Sequence, residues 1–185
     1  MEFVNVVAIA PSDDDVRERL RVDAQAARMR AHYEGWDERL TRLLGYSDDR
    51  VVAWALNHQT PFPAWHHGHV ALLGDACHTM LPYFSQGASQ AIEDELVLAE
   101  QVAKAVRGEL TVADALAGYS DRRAAHAGVV QTGALNNRAL FHLPDGPEQR
   151  RRDGAFREHH RESDVSFDWI YDGTPLEDDP VPQAT

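Results

Sequence analysis

Three observations on the sequence predict an α/β fold that ends in long helices. The run "HVALLGDA", His69 to Ala76, is continuously apolar until Gly74-Asp75 and reads as an interior strand covered on both faces. A nearly uncharged loop follows, with a proline at position 82 and a Gln-Gly pair at 86–87. Beyond it Ala88, Ile92, Leu96, Ala99, Ala103 and Val106 recur in steps of three and four, the apolar stripe of an amphipathic helix ending near Gly108.

The other elements follow in sequence order. "FVNVVAI", Phe3 to Ile9, is β-rich and predicts a strand. Ser12-Asp13 and the acids after it open a predicted helix that runs through "DDVRERLRVDAQAARMRAHY", with negative charge in the first turn as the helix dipole favours. "WDERLTRLLGY" predicts a second, shorter helix ending near Gly45, and "VVAWALNH", Val51 to His58, a further strand. Thr60 to Gly68, with its prolines and aromatics, reads as a packed loop. Thr111 and Asp114 resemble a capping box, and the helix behind them extends to about Phe141. Gly118, Gly128 and Gly133 lie inside that helix, each costing roughly 1 kcal/mol relative to alanine. Three of them point to close packing against another element or to a break. Pro144-Asp-Gly-Pro147 is a stop, and the Pro- and Asp-rich tail from Asp172 is expected to be loosely ordered.

Composition bounds the function. The 185 residues suffice for one domain with a real core, and no apolar run approaches the ~20 residues that cross a bilayer. A net charge of −12 argues against extended contact with nucleic acid or an anionic membrane, both of which call for a basic surface. The single cysteine, Cys77, rules out an internal disulfide and fits a reducing, cytoplasmic setting.

The loop after Gly74 carries the chemistry. Gly74 permits a sharp turn at the carboxyl end of a strand, where open α/β sheets bind ligands. Asp75 is placed to accept hydrogen bonds from sugar-like hydroxyls. Gly87, Ala88 and Ser89 would present free backbone N–H groups at a helix start, favouring an anion by about 0.3–1 kcal/mol. This suits a polyhydroxylated ligand with an anionic edge. A plain strand–loop–helix connection, with Asp75 as a turn residue, fits the same pattern.

The stretch "LLGDACHTMLPYFSQGASQAIEDELVLA" is similar to the second FAD motif of the flavin-dependent aromatic hydroxylases, G-D-A-A-H-x-x-x-P-x-x-x-Q-G-x-x-x-x-x-E-D. Gly74, Asp75, Ala76, His78, Pro82, Gln86, Gly87, Glu93 and Asp94 match in register. Trp65 with His69-Val70, Tyr119 with Arg122-Arg123, and "FHLPDGPEQRRRD" from Phe141 resemble the salicylate hydroxylase subgroup. The resemblance implies a partial FAD/NAD(P)-binding, Rossmann-like domain with long C-terminal helices. It implies FAD as cofactor, NAD(P)H as co-substrate, and an aromatic ring hydroxylated with O2 through a flavin C4a-hydroperoxide. It further implies that Gly74, Asp75, Pro82, Gln86, Gly87, Ala88 and Ser89 bind the cofactor. Asp75 would take the ribitol group and the Ala88 and Ser89 amides the N1–C2=O edge of the isoalloxazine. Pro82 would border the substrate space, and Tyr83 beside it could face the substrate.

The sequence also departs from the family. Cys77 stands where a second alanine is usual, and Ser85 where relatives have Gly or Ala. The family's G-x-G-x-x-G motif and its central D-G motif have no match. The expectation is therefore the C-terminal half of a hydroxylase, lacking the N-terminal βαβ unit and active only with the missing portion that carries G-x-G-x-x-G, whether the chain is a truncated product, a split subunit that takes a separate N-terminal half as partner, or a piece of a longer protein. The alternative is a non-catalytic remnant acting as an interaction or regulatory chain. The expected divisions are 1–66 for the end of the substrate-side region, 67–109 for the second half of the FAD-binding domain, 110–171 for the C-terminal helices and 172–185 for the tail.

The remaining candidates read more plainly. His66, His67, His69 and His78 lack a Cys or carboxylate at usual metal-ligand spacing, so no metal is expected. His159-His160 sits in an Arg/Glu-rich solvated helix. Cys77-His78 does not read as a nucleophile–base pair, because neighbours on a strand point to opposite faces. Arg150, Arg151 and Arg152 are expected to pair with local acids, and Trp36, Trp54, Phe62, Trp65 and Tyr83 to be mostly core, with Tyr83 also the candidate for facing substrate.

Overall fold

The computed structural model describes residues 4–10, 21–162 and Ile170. Two compact units meet in sequence between Leu56 and Asn57. In the first, β1 (Arg21–Gln25) pairs antiparallel with β2 (Arg50–Trp54), Arg21 opposite Trp54 and Gln25 opposite Arg50. Between them lie α1 (Ala26–Ala31) and α2 (Glu38–Gly45). Asp37 caps α2 by accepting the Arg39 N–H at 2.9 Å. Arg30 closes its far end, donating to Leu44 O at 3.2 Å and Ser47 O at 2.8 Å. The α2 expectation holds. Two others do not. Residues 21–25 are strand rather than the continuation of a helix, because the ladder with β2 outweighs local helix preference. Residues 4–10 form no regular element, and no described strand pairs with them. The start of the expected first helix, Ser12 to Asp15, and the tail from Asp172 lie outside the described residues.

The second unit is built on two helices. β3 (His66–His67) and β4 (Val70–Ala71) form a short antiparallel hairpin across Gly68, which adopts φ +57°. After β4 come a single-turn helix, α3 (Asp75–His78), and one 3₁₀ turn (Pro82–Phe84). α4 (Gly87–Val106), α5 (Val112–Phe141) and α6 (Pro147–Glu162) complete the unit. Thr111 accepts the Asp114 N–H at 3.1 Å, the predicted cap, and the three glycines leave α5 unbroken. Arg152 does pair with a local acid, Asp153 at 2.7 Å, and its other arm caps α5 through Leu140 O at 2.8 Å. Trp65, Cys77, Val97, Tyr119 and Ala127 form the buried cluster, with the Trp65 and Tyr119 rings 5.9 Å apart.

The expected interior strand is reduced to Val70–Ala71, and Val70, Leu72 and Leu73 are exposed. Both ladders are two-stranded and antiparallel, so the described residues form no open parallel sheet. The stripe on α4 is likewise reversed. Ile92 is 61% exposed, Leu96 47% and Val106 81%, while Gln90, Asp94, Val97 and Gln101 are buried. Periodicity identified the helix but assigned its apolar face to the wrong neighbour. The face turned toward α5 is mostly polar because it meets a guanidinium there.

Candidate functional site

The polar face of α4 serves an ionic cluster at the start of the loop. Asp94 is fully buried. Its Oδ2 accepts the Gly74 N–H at 3.1 Å and lies 2.7 Å from His78 Nε2. Arg123 of α5 donates through Nε to Asp94 Oδ1 at 2.8 Å and through Nη2 to Gln90 Oε1 at 2.8 Å, with Nη1 2.9 Å from Glu93. Burial alone would raise the Asp94 pKa, but the hydrogen bonds from His78 and Arg123 outweigh it and hold the carboxyl below its ordinary value. An ionised carboxylate can only accept, so His78 Nε2 carries the proton. Tyr119 adds a further tie, its hydroxyl donating to Leu72 O at 3.0 Å.

This cluster fixes the turn at Gly74, which has φ +61°, and a Cβ there would stand 3.3 Å from Ala91 Cβ. The backbone then passes into α3 with Asp75 exposed at its start. Cys77 and His78 therefore sit on one helical turn, not on alternating strand positions, and both are fully buried. Cys77 Sγ donates to Gly74 O at 3.3 Å, and burial, followed by the Asp94 charge, pushes its thiol up to about 12. Cys77, His78 and Asp94 offer ligand atoms within 4.8 Å of one another, but both Asp94 oxygens already accept from protein donors. His66 and His67 lie in the β3–β4 hairpin instead.

Downstream, the loop is held from α5. Gln131 Nε2 donates to Gln59 O and to Thr79 O, each at 3.2 Å. Asn137 donates to Tyr83 O at 3.4 Å, and the Tyr83 hydroxyl lies 2.9 Å from His142 Nε2. The Tyr83 ring packs against Phe141 with centroids 5.9 Å apart. Ser85 adopts the left-handed conformation, φ 55°, and its N–H donates to Pro82 O at 3.0 Å.

Between the two anchorages lies a cleft of ≈ 620 Å³ lined by Leu73, Gly74, Asp75, Met80, Leu81, Pro82, Ser85, Gly87, Ala88 and Ala91. Of the residues singled out in the sequence, Gly74, Asp75, Pro82, Gly87 and Ala88 come together on its wall, while Ser89, Gln86 and Tyr83 do not line it. Gln86, at the N-cap of α4, makes no side-chain cap hydrogen bond, and no acid lies in the helix's first turn. Its partial positive charge therefore opens on the same cleft that Asp75 lines. An apolar wall, a glycine turn, a carboxylate acceptor and an uncapped helix start together fit a planar, polyhydroxylated group with one anionic edge.

Asp94 and Arg123 are the residues whose roles the sequence did not reveal. Both fall in matched motifs, Glu93-Asp94 and Tyr119 with Arg122-Arg123, and that match was the signal: the apolar stripe itself put Asp94 on the solvent side.

Comparison with known proteins gives the same direction. The family model described as "FAD binding domain" matches residues 6–134. An FAD-dependent monooxygenase, OpS4 of Beauveria bassiana (strain ARSEF 2860), is 37% identical over 170 residues, 90% of this chain and 39% of the relative. A salicylate hydroxylase substrate complex superposes with a TM-score of 0.66 at 29% identity, covering 90% of this chain and 38% of that one. Klebsiella pneumoniae HpxO complexed with FAD and uric acid superposes at 0.59 with 26% identity, over 75% of this chain and 35% of that one. The chain thus spans about two fifths or less of the length of these proteins.

Proposed function

This chain belongs to the FAD-binding domain family, and on that premise we propose that its cleft forms the isoalloxazine and ribitol side of an FAD monooxygenase site. Asp75 accepts hydrogen bonds from the ribitol hydroxyls, and the backbone N–H groups of Ala88 and Ser89 take the N1–C2=O edge. Pro82 forms the wall beside the ring, and Gln86 and Gly87 shape the entry to α4. The observation that carries this reading is the uncapped, acid-free start of α4 opening on the same cleft as Asp75. When bound, FAD supplies the redox and oxygen chemistry, with NAD(P)H as electron donor and O2 as oxidant. The protein orients that group, excludes water on the apolar side and stabilises negative charge at the helix start. The substrate class is a small aromatic ring.

The outward stripe of α4, with Leu72 and Leu73, leaves apolar surface next to the cleft. Surface of this kind suits coverage by another polypeptide segment, and the proposed partner is a half carrying the G-x-G-x-x-G phosphate site. A cytoplasmic setting agrees with one buried, unpaired cysteine. Among the described residues, no helix is long and apolar enough to cross a membrane.

FAD titration tests the site. The purified chain is expected to retain no stoichiometric flavin alone and to retain it when co-expressed with such a half. In that complex Asp75→Ala removes charge-assisted hydrogen bonds worth roughly 1.5–3 kcal/mol, about ten- to a hundredfold in Kd. Unchanged flavin affinity in Asp75→Ala would remove Asp75 from the site.

A further inference from the structure

Taking the cleft as the flavin site, we propose that Gly133, on α5 and outside the cleft, is a positioning residue that seats Phe84 and thereby sets the loop tip. A Cβ built at Gly133 would overlap Phe84 Cε2 and stand 3.0 Å from its Cζ. Gly133 is an interior helical residue with no positive φ, so backbone freedom does not explain a glycine there. Room for the ring does.

The notch belongs to a set. Gly133, Asn137 and Phe141 follow at spacings of four along α5, which places them on one face. All three act on the same two residues of the loop. Gly133 admits the Phe84 ring, Asn137 donates to the Tyr83 carbonyl and Phe141 packs on the Tyr83 ring. Phe84 is followed directly by Ser85, whose left-handed backbone is tied to Pro82 O. A displaced Phe84 ring must therefore move either the Pro82 wall of the cleft or the Gln86–Gly87 entry to α4. Gly133 reaches no cleft atom itself and acts only through Phe84.

The test is native-state hydrogen exchange on the full 185-residue protein, read over the peptide segment around Pro82–Ala88, for a double-mutant cycle of Gly133→Ala and Phe84→Ala. Gly133→Ala alone is expected to accelerate exchange in that segment at least tenfold. In the Phe84→Ala background, where the ring is gone, the same substitution should change it less than twofold. A tenfold acceleration in both backgrounds would mean that Gly133 serves helix packing alone, and this would overturn the proposal, as would no change in either. If Gly133→Ala does not fold, a double variant with the unfolding midpoint of Phe84→Ala supports the notch, and a double variant that also fails to fold sinks it. No flavin enters the measurement, so failure of FAD binding and failure of this inference register separately.

Discussion

At the base of the loop, Gly74 and His78 are tied to α4 by hydrogen bonds to a fully buried carboxylate that is itself paired with a buried guanidinium. At its tip, Tyr83 is held by packing on the Phe141 ring and a neutral hydrogen bond from Asn137, and Phe84 lies against Gly133, both at partly exposed positions. The ionic anchorage is costly to break at its centre, because losing Asp94 takes the acceptor from two buried donors and one of the two carboxylates from a buried guanidinium. The aromatic anchorage is graded, because water can replace what is lost. A loop built this way keeps Asp75 at a fixed place while the Pro82 wall can adjust.

The largest expected effect tests the base. Asp94→Ala leaves His78 Nε2 and the Gly74 N–H without their acceptor and the Arg123 guanidinium with only Glu93 and Gln90, and should cost about 3–5 kcal/mol in urea unfolding. A loss below about 1 kcal/mol would mean that water enters the cluster and that the contrast between base and tip is false. The same carboxylate predicts an acid limb. Its pKa is depressed in the folded state, so its stabilisation is present above the unfolded carboxyl value of about 3.9 and is lost as pH falls through the lower folded value. Glu93 has the opposite sign. Burial, only partly offset by Arg123, raises its pKa, so its contribution is largest below its unfolded value of about 4.3 and is lost as pH rises through the folded one. Unfolding midpoints measured from neutral pH downward should fall less steeply at the acid end in Asp94→Asn than in the parent. An equally steep fall would assign the acid limb to other groups.

That cluster also marks where the sequence stopped being legible. Most of the helices were readable because their signals are local: the Thr111 cap, the stop at Pro144–Pro147 and the spacing of apolar residues all act within a turn or two. The cleft residues Gly74, Asp75, Pro82, Gly87 and Ala88 were readable through a motif whose spacing the fold preserves. Strand extent and the burial of α4 were not, since both depend on distant partners. Ile92 and Leu96 look like core until Arg123 is known to occupy the opposite face and to draw Asp94 inward. Arg21–Gln25 looks like helix until Arg50–Trp54 lies beside it.

A middle-sized effect sharpens the view of the tip. Asn137→Ala removes one neutral hydrogen bond to Tyr83 O and should cost about 0.5–1.5 kcal/mol, well below Asp94→Ala. Were the two losses equal in urea titrations, the tip would be as rigidly anchored as the base.

The smallest effect concerns Ser85, which holds a left-handed backbone on the cleft wall. A residue with a Cβ is strained there by about 1–2 kcal/mol, while glycine carries a larger entropic cost on folding, so the two nearly offset. Ser85→Gly is therefore expected to raise stability by no more than about 1 kcal/mol, and Ser85→Ala to leave it within about 0.5 kcal/mol of the parent. Thermal unfolding of both variants separates strain from chemistry. If Ser85→Ala destabilises the protein as much as Asn137→Ala does, the hydroxyl itself holds the tip, and the graded anchorage assigned to α5 would have to be shared with the loop's own side chain.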